Sequence, residues 1–396
     1  MSNVHVGRLC LAAAAVTLCV GCTRGAAAGR AKVLGHDRII AFLYLPKEAD
    51  PKSLHSATVL ACKPSEWKEW RERGVVPVQS KTWFDLLRNP VEKAVEILTT
   101  MDYGDNPSPV VSIDEFGFDF GGQTDQKSAK ILRMTKAKMP QLHLAVWQMR
   151  GPIAPNLAKA YREVVDLVLL EAYVGDKADY WWILTQVAAA RMAGLLDKTI
   201  VGLGLGVGGR PGETWAKTKA ELEQQIRFVR LIAPESPGVG FFAAGVMNGE
   251  PGLLAYADEL CGRFQQLPTD GSGLPDELLQ LHKTFAEPHK EATLVGCPRW
   301  AEPDRSWEDP SNLVEPKTMR VLLMNLGEKD ATNIKVRLRN PKDKGGDVFA
   351  EGTATIPKRS VSVAALPVIA KWQVWKTWDM EVDAPGCEVL IYPRKP

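Results

Sequence analysis

From His36 onward the chain alternates short β-branched or apolar runs with longer stretches of helical period, and it does so eight times. Parallel strands joined by crossover helices require this alternation, because a parallel neighbour is reached only by carrying the chain back across the sheet. The strands read as 38–45 (RIIAFLYL), 57–62 (ATVLAC), 75–80 (VVPVQS), 109–116 (PVVSIDEF), 142–149 (LHLAVWQM), 165–173 (VDLVLLEAY), 199–206 (TIVGLGLG) and 238–245 (GVGFFAAG). Between them lie helix candidates such as PSEWKEWRERG, PVEKAVEILTTM, KSAKILRMTKAKM and TKAELEQQIRFVRLI. An open doubly wound sheet draws on a similar pattern. Eight consecutive units in about 230 residues match the size of a closed barrel, so the expected fold class is α/β, a (β/α)8 TIM barrel over 36–265.

Residues 266–312 shift to Pro, Gly and acids (PTDGSGLPDE, CPRWAEPDRSWEDPSN), the composition of a connector or an irregular packed segment. Alternating runs follow over 313–396: MRVLLMNLG, TNIKVRLRN, GTATI, SVSVAAL, WKTWDMEVDA and EVLIYP. They predict a C-terminal β-sandwich of six or seven strands. The stretch NLGEKDATNIKVRL resembles the cell-adhesion-like bacterial immunoglobulin-type modules found beside extracellular enzymes.

The N-terminus reads as an export signal. Arg8 precedes LCLAAAAVTLCV, an apolar run of signal length that is too short to span a bilayer. It ends at Val20-Gly21-Cys22-Thr23, which resembles a bacterial lipoprotein box, with Cys19 where that box usually carries leucine. The expectation is a lipoprotein-type signal peptide over 1–22, lipidation of Cys22, a tether over 23–35 and a membrane-anchored protein outside the cytoplasm. Plain signal cleavage near Ala26-Ala27-Ala28, giving a secreted protein, is the alternative. Export permits disulfides. Beyond the leader stand Cys62, Cys261, Cys297 and Cys387, of which Cys297 and Cys387 are candidates for a bridge between the start of the C-terminal module and its last strand.

Lys and Arg number 49 against 47 Asp and Glu, a net charge of +2, so no nucleic-acid groove is expected. Beyond the leader there is no CxxC, HxH or HExxH spacing, so no metal is expected, and no GxSxG elbow. The glycines of GLGLGVGG (202–209) suggest a phosphate cradle. They fall in the seventh βα unit, however, with no acid at the expected spacing beyond. Close backbone approach at the barrel mouth, making room for substrate, explains them better, and no nucleotide cofactor is expected.

Barrel chemistry sits at the C-terminal ends of the strands. Those ends carry Tyr44, Cys62, Gln79, Lys81, Trp83, Asp114, Glu115, Trp147, Gln148, Glu171 and Tyr173. Asp114 and Glu171 interrupt the apolar runs VVSIDEF and LVLLEAY, where an unpartnered charge is expensive. Alternation sets Ser112 and Asp114 on one face of the fourth strand and Val111 and Ile113 on the other. The aliphatics suit the helix-packed exterior, so Asp114 is expected in the mouth and Glu115 at the rim or turned away. Two carboxylates across an aromatic cleft are the equipment of a glycosidase. Trp83, Trp147 and Tyr173 would stack on sugar, while Lys81 and Gln148 would bind hydroxyls, with Tyr44 also in the mouth. The structural alternatives are an ion pair at Glu171 or Asp114 and an outward or N-capping Glu115. Trp67, Trp70, Trp181 and Trp182, on helices, read as packing.

With Asp114 in SIDEF and Glu171 in LLEAY, 57 positions apart (171 minus 114), the barrel resembles the endo-α-1,4-polygalactosaminidases and spherulin-4-like galactosaminogalactan hydrolases. That resemblance implies Asp114 as nucleophile or base and Glu171 as general acid. Similar pairs occur in α-galactosidase-like barrels, so the sugar stays open. Two functions are carried forward: a glycoside hydrolase acting on a polysaccharide or oligosaccharide, and a non-catalytic glycan-binding or interaction barrel.

Overall fold

The computed structural model describes residues 32–117, 119–149, 151–175, 179–206, 215–304, 317–372 and 378–392. Eight parallel strands close in sequence order: β1 (Ile39–Leu43), β2 (Val59–Ala61), β3 (Val76–Thr82), β4 (Val110–Phe116), β5 (His143–Gln148), β6 (Leu167–Glu171), β7 (Thr199–Gly206) and β8 (Gly238–Gly245). The ring shuts where Ile39 pairs with Gly238 and Leu43 with Phe242. The helices are α1 (Trp67–Glu72), α2 (Trp83–Leu87), α3 (Val91–Thr100), α4 (Gln123–Lys138), α5 (Pro155–Val164), α6 (Asp179–Met192), α7 (Lys219–Ile232), α8 (Leu253–Gly262) and α9 (Asp276–Ala286). The barrel is the one that the eightfold alternation predicts.

Its strands divide their side chains by the period of two. Ile39, Ala41, Leu43, Val110, Ala145, Trp147, Leu167, Leu169 and Ile200 fill the barrel interior. Ile40, Phe42, Val111, Ile113, Val168, Leu170, Val201 and Leu203 face outward into a core shared with the helices. Each such aliphatic contributes about 1.5–3 kcal/mol by leaving water. Local signals place the helices. Pro155 opens α5, where its missing N–H is no loss. At α7 the Thr218 hydroxyl accepts the Glu221 N–H (3.2 Å) while the Glu221 carboxylate accepts the Thr218 N–H (3.1 Å).

Over its described residues, 266–304, the segment expected as a connector carries regular elements. It contains α9 and two strands, β9 (Thr293–Gly296) and β10 (Ala301–Pro303). Proline and glycine marked its turns correctly. What composition hid is that Leu278, Leu279, Leu281 and Phe285 recur at helical spacing and pack against the barrel, and that β9 is buried throughout and therefore shows no alternation. β9 and β10 join β11 (Thr318–Asn325), β14 (Ser360–Pro367) and β16 (Glu388–Ile391) in a five-stranded sheet. β12 (Ala331–Arg339), β13 (Val348–Ile356) and β15 (Asp379–Asp383) form a second sheet. The described residues of 313–396 hold six strands, β11 to β16, as the alternation predicts, and β9 and β10 add two from the segment before them. The C-terminal module's own core lies between the sheets, built on Leu294, Val321, Leu323, Ile334, Val336, Leu338, Phe349 and Trp378.

The other face of the five-stranded sheet lies on the barrel. Val295, Leu322 and Met324 meet Phe120, Trp181 and Ala189, and Trp181 stacks between Tyr392 (4.1 Å between centroids) and Trp300 (5.4 Å). Trp181 and Trp182 are therefore packing residues of this contact, as Trp67 and Trp70 are of the barrel core.

The expected bridge is not there: Cys297 and Cys387 are both free thiols. β9 and β16 run parallel with Thr293 beside Glu388. Cys297 follows one strand and Cys387 precedes the other, so they stand at opposite ends of the pair. Five residues of strand, about 16 Å, separate their levels, far beyond disulfide reach. No helix among the described residues is long and apolar enough to cross a membrane. The leader, Cys22 and the Ala26–Ala28 site lie outside the described residues.

Candidate active site

The fourth strand breaks its pleat at its two acids, Asp114 and Glu115. Against β5, Ile113 pairs with Val146 but Phe116 with Gln148, so β4 carries one residue more than its partner. That residue sits in a bulge with Glu115 at φ +61°. Below the bulge the alternation holds. Ser112 faces inward and accepts a hydrogen bond from Trp147 Nε1 (3.0 Å), and Asp114 follows on the same face. Tyr44, the residue after β1, also has left-handed backbone, φ +56°, which turns its ring from the outward parity of Phe42 toward the interior. There it leans on Phe242 (4.9 Å), lies 3.0 Å from Ser80 Oγ, and donates its hydroxyl to Asp114 Oδ2 (2.8 Å). The Glu115 N–H donates to Asp114 Oδ1 (3.0 Å). Both donors to this carboxylate thus come from non-glycine residues in a region that costs about 1–3 kcal/mol each to occupy.

Glu171 ends β6 on the face that carries Leu167 and Leu169, the interior one. Gln186 of α6 donates to its carbonyl (3.2 Å) and fixes the strand end. The Tyr173 hydroxyl is bonded to the Glu171 carboxylate and also feels the charge of Asp114; burial first, then these two acids, hold that phenol well above its ordinary range. The two carboxylates therefore share one neighbourhood. Burial also pushes the Asp114 carboxyl up, with the Tyr44 and Glu115 hydrogen bonds acting in the opposite direction.

Aromatic rings close round the acids. Tyr173 meets Trp215 (4.9 Å) and Phe242 (5.5 Å), and Trp215 meets Phe242 edge-on (5.3 Å). The glycines of β7 make space for two of these rings. A Cβ on Gly202 would stand 2.9 Å from Trp147, and one on Gly204 would stand 2.4 Å from Trp215. The glycine run thus serves the aromatic lining directly, a correction to its reading as room for substrate; Gly208 and Gly209 lie outside the described residues. Phe242 belongs to the inner face of β8, and Ala244, two residues on, is exposed, so the barrel opens to solvent at this end.

Three expected site residues stand elsewhere. Trp83 is fully buried in the outer core against Phe116 (4.6 Å). Gln148 is buried on the outward face, accepting from the Tyr161 hydroxyl (2.8 Å). Lys81 turns outward to pair with Asp85 of α2 (3.0 Å). On β3 the inward parity belongs to Val78, Ser80 and Thr82, which no apolar pattern revealed. Trp147 does point inward but is fully buried beneath the acids as part of the floor. Ser80, Trp215 and Phe242 are the mouth residues that sequence reasoning missed. Counting parity from the interior glycines of β8 would have found Phe242.

No protein-family profile and no curated protein matches the chain. Solved structures with a similar fold include an endo-β-N-acetylglucosaminidase from Cordyceps militaris, at 12% identity over 57% of this chain and 90% of that one, TM-score 0.43. The PgaB (BpsB) glycoside hydrolase domain from Bordetella bronchiseptica aligns at 12% identity over 56% and 98%, TM-score 0.37. A class V chitinase from Pseudomonas fluorescens Pf-5 aligns at 9% identity over 56% and 99%, TM-score 0.39.

Proposed function

We propose that this chain is a glycoside hydrolase that cleaves a polysaccharide or oligosaccharide with Asp114 and Glu171. The observation that carries this reading is that both acids reach the interior face at the C-terminal ends of β4 and β6, with the Tyr173 hydroxyl bonded to Glu171 and within electrostatic reach of Asp114. Asp114 is moreover held by two hydrogen bonds on strained backbone. A carboxylate with both oxygens bonded, yet made more basic by burial, suits the nucleophile or base. Glu171 then serves as the general acid that protonates the leaving oxygen. Tyr44, Tyr173, Trp215 and Phe242 offer the apolar faces on which a sugar ring stacks. The resemblance to the polygalactosaminidase and spherulin-4-like group, and the lipoprotein-like leader ending at Cys22, extend the proposal to a glycan outside the cytoplasm and a lipid anchor.

The test is a panel of polysaccharides with reducing ends as readout, run on wild type, Asp114→Asn and Glu171→Gln, with circular dichroism to establish folding. Release of sugar by wild type alone, with a loss of at least ~10³-fold in either folded variant, supports the proposal. Equal turnover in the variants would refute the assignment of these acids. Glycan binding without turnover in wild type would leave the barrel as a binding module.

A further inference from the structure

A second constellation stands at the opposite end of the barrel. Ser108 lies two residues before β4, His143 opens β5 and Asp166 immediately precedes β6. The Ser108 Oγ is 2.8 Å from His143 Nε2, and His143 Nδ1, buried and making no hydrogen bond, is 3.1 Å from Asp166 Oδ1, within ion-pairing distance. The other Asp166 oxygen accepts the Leu144 N–H (2.9 Å) and Lys136 Nζ (3.2 Å). Burial alone would push the Asp166 carboxyl up, yet the His143 pairing, the Leu144 N–H and Lys136 together hold it below its ordinary value. An Nδ1 proton turned to the Asp166 carboxylate would leave Nε2 to accept from the serine hydroxyl.

These contacts would equally serve to tie three loops together at the barrel floor, where structural roles are the rule. Two further observations point past a clamp. Ser108 and His143 line a cavity of about 460 Å³, whose walls include Leu34, Val76, Pro77 and Val110. Arg71 lines the same cavity, with Nη2 on Asp105 and with Nη1 buried and lacking a hydrogen-bond partner. A reachable hydroxyl, a base oriented by a fixed carboxylate and a vacant donor in one apolar-walled cavity are the parts of a nucleophilic site.

We infer that Ser108, His143 and Asp166 form a second catalytic site, a serine-type esterase site for short-chain acyl esters. His143 Nε2 takes the Ser108 proton as Oγ bonds to the ester carbonyl carbon, and the displaced π pair moves to the carbonyl oxygen, with Arg71 of the same cavity wall as the nearby cation. Collapse of this adduct expels the alkoxide, which departs as an alcohol with the proton from His143. Water, giving one proton to the same nitrogen, attacks the acyl-serine. The acid is released, and the proton returns to Ser108 Oγ.

The experiment uses the full chain, p-nitrophenyl acetate as substrate and a fluorophosphonate as covalent probe, with the adduct located by peptide mass spectrometry. The expected result is an adduct on Ser108 and hydrolysis reduced by ~100-fold or more in Ser108→Ala and in His143→Gln, with Ser108→Ala retaining the wild-type circular dichroism. A probe adduct absent from Ser108, or hydrolysis unchanged in Ser108→Ala, would overturn the inference. So would a Ser108→Ala variant that loses only thermal stability while the wild type takes up no probe, which is the signature of a clamp.

Discussion

Tyr44→Phe removes one oxygen and keeps the ring against Phe242, so it removes the hydrogen bond to Asp114 together with the contact to Ser80, and only the first of these changes as Asp114 titrates. The Asp114 pKa is raised in the folded chain. The folded state therefore holds that proton more tightly than the unfolded chain, stability is gained as pH falls through the folded pKa, and the ionised form is the costly one above it. Tyr44 relieves that cost by donating to the carboxylate. A hydrogen bond to a charged acceptor is worth about 1.5–3 kcal/mol and one to a neutral acceptor about 0.5–1.5 kcal/mol. An unfolding entropy of about 0.75 kcal/mol per kelvin for a cooperative unit of this size converts these to a Tm deficit of about 2–4 °C at neutral pH. The deficit shrinks to about 1–2 °C once Asp114 is protonated. Thermal unfolding of wild type and variant across pH 4 to 8 reads the gap directly. A deficit that stays constant with pH, or widens toward acid, would refute the account of Asp114 as a buried ionisable group held by Tyr44.

Three further outcomes are expected. Glu115→Gly should relieve the left-handed backbone at φ +61°, leaving Tm unchanged or raised by the equivalent of about 1 kcal/mol while turnover falls; a marked loss of Tm would show that contacts of the Glu115 side chain outweigh the cost of its backbone. Gly204→Ala, whose new methyl would sit 2.4 Å from the Trp215 ring, should cost about 1–3 kcal/mol and perturb tryptophan fluorescence, and an unchanged spectrum would mean that the ring is not seated there. Alkylation in denaturant without reductant should modify Cys62, Cys261, Cys297 and Cys387 alike, as free thiols do, and protection of the last two would restore the bridge.

The barrel was legible because its strands are buried on both faces and so stand out as aliphatic runs of strand length. The acids were legible for a related reason. In VVSIDEF the aliphatics Val111 and Ile113 fix the outward face and leave Ser112 and Asp114 inside, and in LVLLEAY the same count carries Leu167, Leu169 and Glu171 inward. β3 offered no such ruler. VQSKTW is polar on both faces beyond Val78, so the conspicuous Lys81 and Trp83 drew attention although they share the outward parity with Gln79. At the end of β5, Trp147 and Gln148 are adjacent and therefore cannot share a face, and the structure gives the interior to the ring and the exterior to the amide. The bulge at Glu115 leaves no mark in composition, because any residue type can be the extra one. The strands of the connector were invisible for a different reason: a fully buried four-residue strand such as β9 has neither length nor alternation.

Tyr44 and Glu115 draw the site together more tightly than the acids alone. Positive φ in non-glycine residues persists only where the surroundings over-determine it, and here two such residues, from strands that are not neighbours in the ring, supply the two hydrogen bonds of one carboxylate. An aspartate that served only packing would be better replaced by a residue with no charge to bury, since removing both partners of a buried polar contact costs little when shape is kept. An aspartate that served an ordinary ion pair would need a cation, whereas the two donors the structure gives Asp114 are a phenol and a backbone amide. These donors carry no charge, so they lower the carboxylate's basicity less than a guanidinium would, and burial outweighs them and pushes its pKa up. That combination, a fixed carboxylate kept basic at the open end of a barrel, is what proton abstraction or nucleophilic attack requires and what stability alone would select against.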